Sequence, residues 1–268
     1  MRCGWTGHLG SVLAPSRRIT APLDTPEIAA LDGVEVVIFD FDGVIADSEL
    51  LSLGTLRDAL ADGGLHMSLD HVRSLFLGRS LKSIQDYIEQ HGPTNASEDF
   101  AHRWQSALYK RLGHELNPMP GILPFLDHLA ERGIRHCVAS SSKFERIRLS
   151  LSTMGLADRF QVLFSAEQVH NGKPAPDLFL FAATQMGTHP DACLVIEDSP
   201  HGIVATKAAG MRAMGFLRGA HLTDIQDAHA TLLLKAGAEH VLHDFSELYN
   251  TQSQTATNAE QNIKANNT

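Results

Sequence analysis

The composition is that of an acidic protein that can form a sizeable core. The chain has 268 residues, of which 43% are hydrophobic, and 22 basic against 31 acidic residues give a formal net charge of −9. This charge argues against a protein that binds nucleic acid or a membrane surface, and no apolar run approaches the roughly 20 residues of a membrane-spanning helix. A small phosphorylated ligand remains compatible with it, because a local site can oppose the overall charge.

The cysteines and the two ends of the chain indicate in which cellular compartment the protein is expected. Cys3, Cys137 and Cys193 are far apart, so they predict neither a disulfide framework nor a zinc site. Buried thiols in a reducing compartment fit this pattern, and we expect a cytoplasmic protein. Residues 1–29 are predicted to be a flexible extension; the alternative is a transit peptide, which would imply an organelle. Residues 251–268, mostly Asn, Gln, Thr and Ala, are predicted to be a disordered tail.

Six short apolar runs, several of them rich in β-branched residues, predict buried strands. In chain order they are residues 34–39, 134–139, 161–164, 193–196, 213–217 and 240–242. Helical patterns lie between them, each with a glycine soon after that would end the helix, at residues 123–130, 178–185 and 203–209. Strands that alternate with helices predict an α/β fold with a Rossmann-like parallel sheet and right-handed crossovers.

One segment breaks this alternation. Between residues 48 and 117, apolar residues recur at helical spacing and no convincing strand pattern is found. Four helices are predicted there, around residues 53–60, 72–76, 81–88 and 100–111. We therefore interpret residues 48–117 as an all-helical domain inserted into a discontinuous α/β core, which comprises residues 30–47 and 118–250.

The first predicted strand ends in Asp40-Phe41-Asp42-Gly43. Ligands of an open parallel sheet bind beyond the carboxyl ends of its strands, so both carboxylates should emerge where a site is expected. A carboxylate nucleophile can take a phosphoryl group, and a second carboxyl group can protonate the leaving oxygen and later activate water. The simpler alternative is an Asp-Gly turn after a strand, and this motif alone does not decide between the two.

Two further segments carry groups that suit an anion. Ser140 and Ser141 begin a Ser-Ser-Ser-Lys run after the second strand, where hydroxyls and backbone N–H groups at a helix start can bind an anion. Lys173 lies in the sequence Gly-Lys-Pro-Ala-Pro-Asp, where it could neutralise a transferring phosphoryl group. The alternatives are an ordinary helix N-cap and a solvated loop lysine.

Two adjacent acids, Glu197 and Asp198, end the fourth predicted strand. Buried acids at this place are costly unless they bind a cation or hydrogen-bond donors. With Asp40 and Asp42 they would form a cluster of four carboxylates, a ligand set that suits Mg²⁺. The alternative is a solvated helix N-terminus, where acids are favoured. Together, the groups at successive strand ends indicate phosphoryl transfer.

These four motifs resemble, in order and spacing, those of the haloacid dehalogenase superfamily, and most closely its phosphatase and β-phosphoglucomutase-like branch with a helical cap. The resemblance covers residues 34–242. It implies that Asp40 is the nucleophile and Asp42 the general acid/base. It also implies that Ser140 and Lys173 bind the phosphoryl oxygens.

The resemblance implies a bound Mg²⁺ and a moving cap as well. The implied oxygen ligands are carboxylates and one backbone carbonyl: Asp40, the carbonyl of Asp42, Asp198 and, directly or through water, Glu197. The helical insertion would be the cap that closes over the substrate, with hinges near Asp47 and Pro118. Closure would exclude water until the aspartyl-phosphate is ready for hydrolysis.

We therefore expect a Mg²⁺-dependent phosphatase that acts on a small metabolite: a sugar, polyol or sugar-acid phosphate such as 6-phosphogluconate. Dehalogenation is not expected, because a leaving halide needs no acid and Asp42 is present. Phosphonate hydrolysis in the family uses a cap lysine, for which Lys82 is a candidate without further support.

Two other functions stay open. A β-phosphoglucomutase-like mutase shares the Ser142-Lys143 pair, but the cap histidine of that enzyme aligns with Ser52 and its cap arginine aligns near Leu81. Arg79 is our hypothesis for a cap residue that reaches the substrate; the alternative is a helix-capping loop. A non-catalytic metabolite-binding protein on the same fold is the other possibility. A monomer is favoured, without a signal in the sequence that decides it.

Overall fold

The part of the chain that the structure describes contains six strands, nine α-helices and four short 3-10 helices. The structure, a computed structural model, describes residues 30–79, 81–94, 96 and 99–249. The strands are β1 (Val36–Phe39), β2 (Arg135–Ser140), β3 (Leu163–Ser165), β4 (Cys193–Glu197), β5 (Arg212–Phe216) and β6 (His240–Leu242). The helices are α1 (Glu49–Asp62), α2 (Leu69–Phe76), α3 (Leu81–His91), α4 (Phe100–Glu115), α5 (Ile122–Glu131), α6 (Phe144–Thr153), α7 (Asp177–Met186), α8 (Pro200–Ala208) and α9 (Gln226–Ala236).

Two of the predicted segments, the extension at 1–29 and the tail at 251–268, lie outside the described residues. No helix within the described ranges is both long and apolar enough to cross a membrane.

All six strands pair in parallel, in the order β3-β2-β1-β4-β5-β6. Strand β1 lies in the middle, and Phe39 near its end pairs with Val138 of β2 and Ile196 of β4. Every residue of β1 is buried, as expected for a parallel sheet with helices on both faces. The predicted Rossmann-like α/β fold is confirmed. Strand order reverses at β1, and the crevice at the carboxyl end of such a strand is the usual place for a ligand.

Strand positions agree with the sequence pattern to within two residues at each end. Strands β1 and β3 each begin two residues later than predicted, and in β3 the two residues concerned, Gln161 and Val162, are exposed at the edge of the sheet. Helix α9 has no counterpart in the sequence-based expectation. Only Leu233 of this helix is fully buried, while Leu232 and Leu234 are half-exposed, so its apolar residues do not mark one face.

Helices α1 to α4, which we call the helical segment (residues 49–115), are inserted between β1 and α5, the helix that leads into β2. Apolar side chains of α1, α2, α3 and the start of α4 form a cluster of their own. The second half of α4 belongs instead to the main core through Leu108 and Leu112. The helical content predicted for this stretch is therefore present, while the division into separate domains stays a prediction.

The chain enters and leaves the helical segment through two adjacent stretches. The backbone N–H of Asp47 donates to the carbonyl of Asn117 at 3.3 Å, and Ala46 forms an antiparallel bridge with Pro118. Both contacts lie where the hinges near Asp47 and Pro118 are predicted.

Candidate active site

Three carboxylates meet at the carboxyl end of the central strands. Asp40 directly follows β1, while Glu197 ends β4 and Asp198 follows it. Each offers one carboxylate oxygen, all three oxygens lie within 4.8 Å of one another, and all three residues are buried. Because β1 and β4 are parallel neighbours, their ends bring these acids together although they are far apart in the sequence.

Lys173 is the cation that contacts this group. Its ammonium donates to Asp40 Oδ1 at 2.6 Å, to Glu197 Oε1 at 2.8 Å and to the carbonyl of Ala139 at 3.0 Å. The ammonium also lies 4.8 Å from the centre of the Phe179 ring, a cation–π distance. Burial alone would lower the pKa of Lys173, but the two carboxylates outweigh burial and raise that pKa above its ordinary value. The predicted lysine therefore lies in the site, and it is charged.

The carboxylates outnumber the cations that touch them. Burial raises the pKa of Asp40 and of Asp198 well above the ordinary value, and the neighbouring acids add to that effect, while Lys173 opposes it. Three buried carboxylates with one contacting ammonium leave negative charge that is costly without a further cation. Hard oxygen ligands in this arrangement fit Mg²⁺, which needs few protein groups and keeps several waters.

The side chain of Asp42 is not part of this group, because three hydrogen-bond donors hold it. Its Oδ1 accepts from the Ser48 hydroxyl at 2.5 Å and from the Arg146 guanidinium at 2.6 Å. Its Oδ2 accepts from the Ser142 hydroxyl at 2.6 Å. The structure thus brings together three of the four predicted carboxylates. The predicted cation ligand from Asp42 is its backbone carbonyl, and that role stays a prediction.

Two glycines give the carboxylates room. A Cβ atom at Gly43 would lie 1.9 Å from Asp198 Oδ2, and one at Gly202 would lie 1.7 Å from Glu197 Oε1. Gly43 also has a φ of +82°, a conformation that side chains disfavour. Both acids can pack against the backbone only because these positions carry no side chain.

The two predicted phosphate-binding serines differ in their exposure to solvent. Ser140, at the end of β2, is buried, and its hydroxyl oxygen accepts from the backbone N–H of Ser142 at 3.0 Å. The hydroxyl hydrogen of Ser140 can therefore still be donated to a ligand. Ser141 is exposed, at the turn before α6.

Both residues singled out in the predicted cap are exposed to solvent. Arg79 is exposed just beyond α2, and Lys82 is 83% exposed in an ion pair with Asp86. Arg73 on α2, by contrast, contacts the α/β core: its guanidinium donates to Asp224 at 3.3 Å. A cavity of about 340 Å³ between α1 and α4 is lined by none of the predicted site residues.

Sequence reasoning did not find Arg146, His221 and Glu49. Arg146 on α6 is mostly buried against Asp42, and His221 follows β5 with its Nε2 3.4 Å from Asp198 Oδ2. Glu49 begins α1, next to Ser48. Burial raises the pKa of Glu49 to about 7, and the charge of Asp42 adds to the effect. For Glu49, its place directly after the predicted hinge was the one available signal.

Glu49→Gln is expected to change how stability depends on pH. A carboxyl group with a raised pKa in the folded state favours folding when protonated, and this contribution is lost as the pH rises through about 7. Between about pH 5 and about pH 8, the free energy of unfolding of the wild type should therefore fall relative to that of the variant. Urea unfolding across that range measures it. Glu89→Gln, at an exposed position of α3, is the control, and parallel curves for wild type and Glu49→Gln would contradict the prediction.

Comparisons with known proteins agree with this geometry. Residues 37–216 match the model of the haloacid dehalogenase-like hydrolases. The fructose-1-phosphate phosphatase YqaB of Escherichia coli K12 is 30% identical over 178 residues, which cover 66% of this chain and 94% of that protein. Hexitol phosphatase B of the same strain is 29% identical over 179 residues, covering 66% of this chain and 81% of that protein.

A solved structure has a similar fold. The HAD family hydrolase of Deinococcus radiodurans R1, with bound phosphate and sodium, is 30% identical and has a TM-score of 0.68, covering 84% of this chain and 97% of that one. The family model matches more than half of the chain, and the relatives and the solved structure agree with that match, so the chain belongs to the haloacid dehalogenase-like hydrolase family.

Proposed function

We propose that this protein is a Mg²⁺-dependent phosphatase that hydrolyses a small sugar, polyol or sugar-acid phosphate through an aspartyl-phosphate on Asp40. At the broader level it is a phosphoric monoester hydrolase of its family. The observation that carries the finer proposal is the Asp40 carboxylate, which meets Lys173 at 2.6 Å beside two further acids at the end of the central strand.

Asp40 is the proposed nucleophile. One of its carboxylate oxygens attacks the phosphorus, the bond from phosphorus to the ester oxygen breaks, and the substrate leaves as an alcohol once that oxygen gains a proton. Water then attacks the phosphorus of the aspartyl-phosphate, which restores the carboxylate and releases inorganic phosphate. Lys173 already contacts Asp40 and so lies where it can neutralise the phosphoryl oxygens.

Asp42 is the proposed source and acceptor of the proton. It would protonate the leaving oxygen in the first step and take a proton from the attacking water in the second. The hydrogen bonds from Ser48, Ser142 and Arg146 hold its carboxylate in the present orientation. For catalysis the side chain must exchange at least one of these donors for the substrate or water.

The remaining groups bind the phosphoryl oxygens and the cation. The Ser140 hydroxyl can donate to a phosphoryl oxygen, and Ser141 could add its backbone N–H. Asp40, Asp198 and the Asp42 carbonyl would hold Mg²⁺. Both carboxylate oxygens of Glu197 already accept hydrogen bonds, from Lys173 and from the backbone N–H of Ser199, which favours contact with Mg²⁺ through water. When bound, Mg²⁺ would neutralise charge on the phosphoryl oxygens and orient them for attack.

The substrate class rests on the relatives and on the helical segment. Proteins named for fructose 1-phosphate and hexitol phosphates are among the relatives, which supports a phosphorylated carbohydrate. The helical segment begins directly after Ser48, whose hydroxyl donates to Asp42, so its first helix starts beside the site, where a cover for a small molecule would be attached.

Removal of divalent metal is expected to abolish both phosphate release and phosphate binding. Without Mg²⁺ three buried carboxylates face the anion, and among the described residues Lys173 is the ammonium that contacts them, so we expect the site to repel phosphate. Turnover should fall to background in excess EDTA and return when Mg²⁺ is added back. Binding of inorganic phosphate, measured by calorimetry with and without EDTA, tests the same point independently of catalysis. Full activity in EDTA would contradict the metal dependence.

A phosphate-release screen over sugar, polyol and sugar-acid phosphates tests the proposed function as a whole. We expect one class to be hydrolysed with stoichiometric release of inorganic phosphate. A product that carries phosphate on a new carbon, without that release, would instead indicate a mutase. Tight metabolite binding without turnover would indicate a non-catalytic protein.

A further inference from the structure

A short turn between β5 and α9 contacts the carboxylate cluster and the helical segment at once. This turn, Gly219–Asp224, contains a 3-10 helix at Ala220–Leu222. The backbone N–H of Ala220 donates to Asp47 Oδ1 at 3.1 Å, which attaches the turn to the predicted hinge. Neither the motifs nor the proposed mechanism uses any residue of this turn.

His221 points from this turn to the predicted cation site. Its side chain is 3% exposed, and its Nε2 lies 3.4 Å from Asp198 Oδ2. Lys173 contacts the other two carboxylates, Asp40 and Glu197, so among the described residues His221 is the basic group paired with Asp198. The Nδ1 of His221 is buried and has no hydrogen-bond partner. The proton of a neutral ring is therefore best placed on Nε2, towards Asp198.

Close packing fixes the ring beside the carboxylate. A Cβ at Gly219 would lie 2.6 Å from His221 Cε1, and a Cβ at Gly43 would lie 3.3 Å from the same atom and 1.9 Å from Asp198 Oδ2. The ring and the Asp198 carboxylate thus share the space that these two glycines leave. With the ring in place, one side of the carboxylate is closed, which limits the rotation of Asp198.

A second histidine holds the backbone of the same residue. His229 on α9 has its Nε2 2.6 Å from the carbonyl oxygen of Asp198. On the other side of the turn, Arg73 of α2 donates to the carbonyl of His221 at 3.4 Å and to Asp224 at 3.3 Å. The position of Asp198 is therefore set by the turn and α9, and the turn is in contact with the helical segment.

We propose that His221 is a positioning residue that holds the Asp198 carboxylate in the orientation needed to bind the cation. This inference rests on the proposed function, since it concerns the Mg²⁺ site assigned there. Residues that orient a metal ligand from outside the ligand set typically change metal affinity by about 10–100-fold when replaced.

Three substitutions separate the contact from the volume of the ring. Glutamine can place its amide nitrogen close to the position of Nε2, so His221→Gln keeps a donor towards Asp198. Asparagine places its amide near Nδ1 instead, so His221→Asn loses that donor. His221→Leu fills much of the space without any donor. It replaces the asparagine variant in the test if that variant does not fold. His201→Gln, at an exposed position of α8, is the matched control.

The experiment is a calorimetric titration of MgCl₂ into the full, metal-free chain, with no substrate present. We expect the Kd for Mg²⁺ to rise about tenfold or more in His221→Asn and His221→Leu, while His221→Gln stays within about threefold and His201→Gln matches the wild type. In turnover assays, the Mg²⁺ concentration for half-maximal activity should shift in the same way, with kcat at saturating Mg²⁺ largely kept. If wild type binds Mg²⁺ and the asparagine and leucine variants bind it equally well, this inference is wrong while the proposed function stands. If wild type itself binds no Mg²⁺, the metal dependence fails first and the inference with it.

Discussion

Replacement of Asp40 with asparagine is expected to abolish phosphate release while the protein stays folded. An amide is a poor nucleophile towards phosphorus, so no aspartyl-phosphate forms, and we expect turnover to fall at least about a thousandfold. The fold should tolerate the change, because burial already disfavours the charged form of Asp40 and an amide has the same shape. Lys173 keeps Glu197 and the Ala139 carbonyl as partners. Steady-state phosphate release measures the effect.

The control for this experiment is Asp127→Asn. Asp127 lies on α5, and its side chain is 64% exposed in an ion pair with Arg159, so the variant should keep wild-type activity and stability. Thermal unfolding of both variants checks the fold. Substantial turnover by a folded Asp40→Asn variant would rule out Asp40 as the nucleophile and, with it, the proposed mechanism.

Replacement of Lys173 with methionine should both stop turnover and destabilise the protein. Methionine keeps most of the length of the side chain but leaves Asp40 and Glu197 as buried carboxylates without their cation. Removal of one partner from a buried ion pair costs about 3–5 kcal/mol of unfolding free energy. Urea unfolding of the metal-free proteins near neutral pH measures this loss.

Two further comparisons make the result specific. Lys235→Met, at an exposed position of α9, should leave the free energy of unfolding nearly unchanged. Adding Asp40→Asn to Lys173→Met should recover part of the lost stability, because one of the two uncompensated carboxylates is gone. Two results would contradict this prediction: a Lys173→Met protein as stable as the wild type, or a double variant less stable than the single one. Either would show that Lys173 does not stabilise the protein through its ion pairs with the two carboxylates.

Most of the sheet is predictable because its strands are buried on both faces. Such strands are nearly continuous apolar runs, and β1 and β4 stand out from their surroundings for that reason. Edge strand β3 is less clear, since two of the four predicted residues are exposed there. Helix α9 escapes prediction because its leucines do not lie on one buried face.

The partners of the site residues depend on packing that the sequence does not reveal. Asp42 and Arg146 are 104 residues apart, and their contact exists because α6 begins at the end of β2, next to β1. Likewise, His221 meets Asp198 only because β4 and β5 are neighbours and the turn after β5 folds back over the end of β4. Neither Arg146 nor His221 belongs to a local sequence pattern that would single it out.

The sequence by itself determines the strands, the helical segment and the acids and lysine at the strand ends, because hydrophobic periodicity and short motifs are local. The tertiary structure decides which groups pair with each of those charges. Lys173 contacts Asp40 and Glu197, Asp42 turns to Ser48, Ser142 and Arg146, and Asp198 is left to His221. The physical reason is that a buried charge must find its partners among whatever groups the packed helices and turns bring within about 3 Å. The overall charge of −9 therefore says little about this site, where the local balance of carboxylates and cations decides what can bind.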